Sequence, residues 1–133
     1  MNEDMFFAAN NYLNSVIVNR YEDMKKGVSK RKEEINDFQI YYAASDIVAS
    51  NGIIETSNEE LKEVFNKVYE VSQEIIKYYD EVNEKKKLVT DEKVLDDNKE
   101  KYLLARKNLI ITYRKAYVIT HEAFQKMFKR PEM

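Results

Sequence analysis

The 133-residue chain holds two Gly, one Pro, no Cys and no Trp, with 35% charged and 44% apolar residues and a formal charge of −2. The lack of cysteine excludes a disulfide scaffold or a cysteine-based zinc site, and turn formers are too scarce for a β-sandwich, propeller or barrel. Gly27 and Gly52 stand outside any glycine-rich phosphate-loop pattern.

What remains is one all-α domain at residues 1–133, and the spacing of apolar residues predicts an elongated four-helix bundle with a long antiparallel hairpin of its third and fourth helices. Acids in the opening MNEDMFF argue against a secretory leader. The uncharged run Met5–Asn19 spans 15 residues and carries Asn10, Asn11, Asn14 and Asn19, too short and polar to cross a bilayer. A soluble, cytoplasmic protein without membrane contact is expected. Lysine outnumbers arginine 17 to 5 and Asn, Ile and Tyr are plentiful, a bias that suggests a low-GC bacterium, a phage or a mobile element.

The first helix is expected over about residues 3–26, on the recurrence of Phe6, Ala9, Leu13, Val16 with Ile17, Arg20 with Tyr21, and Met24. Gly27 is placed to end it after Lys25 and Lys26, cations that suit the last turn. Ser29 can cap a second helix over 30–50, with Ile35, Phe38, Tyr41 with Tyr42, Ser45, and Val48 with Ala49 as its inward face. Asn51-Gly52 stops it.

A capping box at Thr56 or Ser57, with Glu59 or Glu60 three residues on, opens a third helix over 57–87. Its stripe Leu61, Val64, Val68, Val71, Ile75, Tyr78, Val82 alternates three and four, a coiled-coil-like seam, and Phe65, Ile76 and Tyr79 widen it. The polar stretch Lys85–Asp97 should hold the turn, with Asp96 or Asp97 as the next cap. A fourth helix is expected over 97–129, before Pro131. It is apolar on more than one side, which implies central burial or a shared partner.

No cofactor or metal site is expected. His121 is the sole histidine, and Val118 stands where a carboxylate di-metal bundle would need Glu. EELKE at Glu59–Glu63 looks like the start of a MazG-type acidic cluster, but Lys77 occupies the place of its second half.

Arg114 and His121 are two turns apart and share a face with Tyr117. This R-x6-H spacing is similar to the outer limit of the Arg-to-His motif in HEPN-type helical ribonucleases, small bundles that dimerise to form an active site. The resemblance covers eight residues and implies Arg114 as a phosphate-charge stabiliser and His121 as general acid or base. Lys115 replaces the polar residue that usually follows the arginine.

Charge is segregated. From Lys99 to Arg130, nine basic residues face only Glu100 and Glu122, whereas from Ile54 to Asn98 thirteen acids face seven lysines. Three readings follow: acid–base rims of one hairpin, nucleic-acid contact by the basic helix with Tyr102, Tyr113 or Tyr117 stacking on bases, or docking on a charged protein. The leading expectation is a non-enzymatic protein-interaction module, such as a regulator, adaptor or inhibitor. Its surfaces would be Arg106, Lys107, Arg114, Lys115, Tyr117, Lys126, Lys129 and Arg130 on the basic side and Glu59, Glu63, Glu70 and Glu74 on the acidic flank. The partner would be another protein, with a homodimer or nucleic acid as alternatives. The enzymatic alternative is the ribonuclease of Arg114 and His121. Ten tyrosines, including the doublets Tyr41-Tyr42 and Tyr78-Tyr79, are expected to edge the core or an interface.

Overall fold

The computed structural model describes residues 1–89 and 96–128. Among them run four helices, α1 (Glu3–Lys26), α2 (Lys30–Val48), α3 (Glu59–Val89) and α4 (Asp96–Phe128). Each packs on the next and α4 closes back on α1, an up-down-up-down bundle in which the α3–α4 contact is the most extensive. At about 1.5 Å per residue, α3 and α4 are each roughly 45–50 Å long and form the axis of the molecule.

The ends follow from local chemistry. Asn2 accepts the Met5 N–H at 2.8 Å to open α1, and Gly27 closes it at φ 64°, a left-handed conformation that disfavours a β-carbon. Ser29 caps α2 through the Lys32 N–H. At α3 the expected cap is displaced: Asn58 Oδ1 accepts from the N–H groups of Glu60 and Leu61, while Thr56 Oγ1 accepts from Asn58 N–H and donates to Glu3. Asn58 wins because its amide oxygen reaches both orphan donors, and Thr56 is taken up in tying the loop to α1. Asp96 and Asp97 lie in the first turn of α4, where negative charge suits the dipole. Of the stretch Lys85–Asp97 expected to hold the turn, residues 90–95 lie outside the described residues, as do the Pro131 stop, Lys129 and Arg130.

The core joins Phe6, Leu13, Ile17, Ile40, Ile47, Phe65, Val68, Ile75 and Tyr113, all fully buried. Phe6 meets Phe65 edge to face at 4.7 Å across the bundle. The α3 seam is as expected from Leu61 to Ile75, with Tyr78 and Val82 half-buried.

The α2 face differs from expectation, and α4 takes one of the two forms expected of it. On α2 the buried set is Asn36, Ile40, Ala43, Ala44 and Ile47, while Ile35, Phe38 and Tyr42 point to solvent. The helix is rotated because its polar Asn36 and Asp37 are drawn inward by partners on α1 and α4. On α4 the buried set is mostly small: Ala105, Thr112, Ala116, Thr120 and Ala123, with Leu109, Tyr113 and Met127. Small residues let α4 approach its neighbours closely, and four of its large aliphatic side chains, Leu103, Leu104, Ile111 and Val118, are left on the outside.

Candidate functional site

The outward face of α4 is built from three rows that repeat every seven residues. One is Leu103, Ile110, Tyr117; a second is Leu104, Ile111, Val118; between them runs Lys107, Arg114, His121. Leu103, Leu104, Ile111 and Val118 are between 50% and 61% exposed, and Lys107, Arg114 and His121 are exposed as well. A helix turns about 100° per residue, so a seven-residue repeat keeps each row nearly parallel to the axis. The result is an apolar face with a line of nitrogen bases along its middle.

Two shallow grooves meet on this face. One, of about 440 Å³, is lined by Leu103, Arg106, Lys107, Ile110, Ile111 and Arg114. The other, of about 500 Å³, lies between α1 and α4 and is lined by Val18, Tyr21, Glu22, Lys25, Arg114, Tyr117 and Val118. Arg114 lines both and marks the centre of the surface. Burial raises the Tyr21 phenol above its usual range, and the nearby Arg114 guanidinium pulls it partly back. The Tyr21 ring also meets Tyr117 edge to face at 6.3 Å, and Tyr117 stacks on His121 at 5.9 Å with planes 3° apart. The structure therefore brings Arg114, Tyr117 and His121 onto one exposed face. Arg114 and His121 remain about 10.5 Å apart along the axis.

The other basic residues named from sequence are employed differently. Lys115 bridges to Glu74 at 3.0 Å, and Lys126 to Glu60 at 3.6 Å and Glu122 at 3.4 Å, so the α3–α4 rims do pair acid with base. Such exposed pairs contribute well under about 1 kcal/mol each. Glu59 pairs with Lys62 within α3, and Glu63 and Glu70 stay exposed on the acidic flank. Arg106 reaches across to Glu33 on α2. Among the described residues neither Lys107 nor Arg114 has a carboxylate partner.

Sequence reasoning missed a polar cluster at the α1–α2 end. Arg20, 2% exposed, donates to Glu33 at 2.6 Å and Asp37 at 2.8 Å, and the Tyr113 hydroxyl donates to Asp37 at 2.9 Å. Burial pushes the Asp37 carboxyl up despite the opposing pull of Arg20 and Tyr113, and burial beside Asp37 holds Tyr113 well above the usual phenol range. Asp23, hydrogen-bonded by Asn36 and close to Lys32, is held below the usual carboxylate range. Over this cluster opens a cleft of about 320 Å³ walled by Tyr79, Tyr102 and Lys86. The available signal was phase: Arg20 falls on the apolar stripe of α1, and Asn36 and Asp37 fall in step with Ile40 and Ala44.

Among the described residues no group of His, Asp and Glu could hold a metal ion, and no helix is long and apolar enough to cross a membrane. Comparison with protein-family models, with curated proteins and with solved structures finds no match to this chain.

Proposed function

We propose that the protein is a helical protein-interaction module whose working surface is the outward face of α4. The observation that carries this reading is the inversion of α4, which packs alanine and threonine inward and displays Leu103, Leu104, Ile111 and Val118 in heptad rows. Burying one large aliphatic side chain is worth about 1.5–3 kcal/mol, so four held half-exposed on one rigid helix represent stabilisation that a partner would recover. The acidic flank of α3 carries no comparable apolar row and serves as a solvated face. A regulator, adaptor or inhibitor fits such a surface, and the excess of lysine over arginine supports an origin in a low-GC bacterium, phage or mobile element.

The test is affinity capture from the source cells with wild type and with an Ile111→Asp, Val118→Asp double variant of matched helicity. A stoichiometric protein held by wild type and released by the variant is expected; identical captures with both would overturn the reading. One observation favours a second reading: Lys107 and Arg114 lack carboxylate partners among the described residues, as a nucleic-acid-binding helix would require. That reading predicts RNA or DNA binding at low salt that drops in Arg114→Ala. Its catalytic form, with Arg114 and His121 in HEPN-like roles, predicts RNA cleavage abolished in His121→Ala without a change in Tm.

A further inference from the structure

The layout of the α4 face narrows the partner, on the footing that this face is an interaction surface. We infer that it docks an amphipathic helix of another protein, laid along α4 for about three heptads, with apolar residues against Leu104, Ile111 and Val118 and carboxylates against Lys107, Arg114 and His121.

The seven-residue repeat of all three rows is the first support. A repeat of seven over residues 103–121 keeps a seam in contact with a second helix as the pair supercoils, whereas a globular surface has no need of it. The position of the charges is the second. Lys107 and Arg114 lie in the middle of the face, between the apolar rows. A membrane surface would force those cations into the hydrocarbon along with Leu104 and Ile111, and basic residues suited to a bilayer lie on the polar face instead. A nucleic acid would meet the cations and could stack a base on Tyr117, but it would leave the aliphatic side chains of Leu103, Leu104, Ile111 and Val118 without a partner. A second copy of the same face would oppose Lys107 and Arg114 with like charges, and the one acid it brings to that row, Glu100, stands at its end rather than opposite both cations. An acidic helix meets both demands at once, filling the grooves on either side of Arg114 with apolar side chains while satisfying its guanidinium bidentately.

The probe is a labelled synthetic helix of about three heptads, Leu at the seam positions facing Leu104, Ile111 and Val118 and Glu at those facing the bases, followed by fluorescence anisotropy. The comparison peptide carries Lys in place of Glu. Saturable binding of the Glu helix to the full chain is expected, weakened about tenfold or more by the Lys exchange and by Arg114→Glu. The Lys helix should recover binding to Arg114→Glu. Equal binding of the two helices overturns the inference. Light scattering that shows a dimer converted to monomer by Ile111→Asp also overturns it, in favour of a second copy, and leaves the interaction reading standing. A monomeric chain that binds neither helix overturns the inference, and capture with the double variant described above then decides the reading by itself. Retention of a nucleic acid by wild type but not by Arg114→Ala overturns it in favour of the nucleic-acid reading.

Discussion

Arg20 shows what a single residue settles in this bundle. Its guanidinium sits where a leucine would complete the α1 stripe, and Glu33 and Asp37 turn inward to meet it. Removing one member of a buried ionic group leaves the others uncompensated, so Arg20→Met should lower unfolding free energy by about 3 kcal/mol in urea titrations. The two neighbouring aspartates have opposite dependence on pH. Asp23, lowered in the folded state, contributes stability above the ordinary value of 3.8 that is lost as pH falls through its folded pKa. Asp37, raised by burial, binds its proton more readily folded than unfolded, so its contribution declines as pH rises from 3.8 through its folded value. Asp23→Asn should therefore flatten the acid limb of the stability curve. Asp37→Asn should gain relative to wild type on going from acid to neutral pH, and parallel slopes for the two variants in urea titrations would contradict this.

At the scale of elements, α3 and α4 differ in how openly their sequences declare their packing. The α3 seam uses β-branched and aromatic residues at alternating three- and four-residue steps, so size and burial coincide and periodicity finds the core. On α4 size and burial are opposed. Alanine and threonine give little signal in an apolar tally, while Leu103, Leu104, Ile111 and Val118 dominate it from the wrong side. The same fault rotated the expectation for α2, where Ile35, Phe38 and Tyr42 outweighed Asn36 and the two alanines. Helix existence and ends were legible to within about two residues because caps and glycines are local signals. The inward face of α2 was not, because polar partners on α1 and α4 set its phase. Arg114, Tyr117 and His121 were brought together correctly, since a seven-residue spacing on one helix needs no tertiary knowledge; the Arg20 cluster spans three helices, and the phase of its polar residues was the only local sign of it. A stability comparison follows from the inversion. Ala116→Leu should overpack the α4 core at a cost of about 1–3 kcal/mol, whereas Val118→Ala should change stability by less than about 0.5 kcal/mol in the isolated protein.

For the whole molecule, the long hairpin and the shorter α1–α2 pair imply a gradient of stability along the axis. Amide exchange at Val68, Ile75 and Tyr113, buried at the centre, should require the global unfolding free energy. Protection should fall toward Lys87–Val89 and Asp96–Lys101, where side chains are mostly exposed, and uniform protection along α3 would refute the gradient.

Between α1 and α4 lies a layer with a different consequence. Asn10 donates to the Thr120 carbonyl at 2.9 Å and Asn14 to the Thr120 hydroxyl at 3.0 Å. Helices joined by aliphatic contacts alone can slip past one another, but a slip of one turn, about 5.4 Å, would here strand a fully buried amide. The layer acts as an index mark between the two helices. Because Val18 and Tyr21 face Arg114 and Tyr117 across one groove, that mark also fixes the relative height of the groove's two walls. Asn10→Leu would thus blur the proposed docking surface by letting its walls drift out of step, although Asn10 lines no part of it.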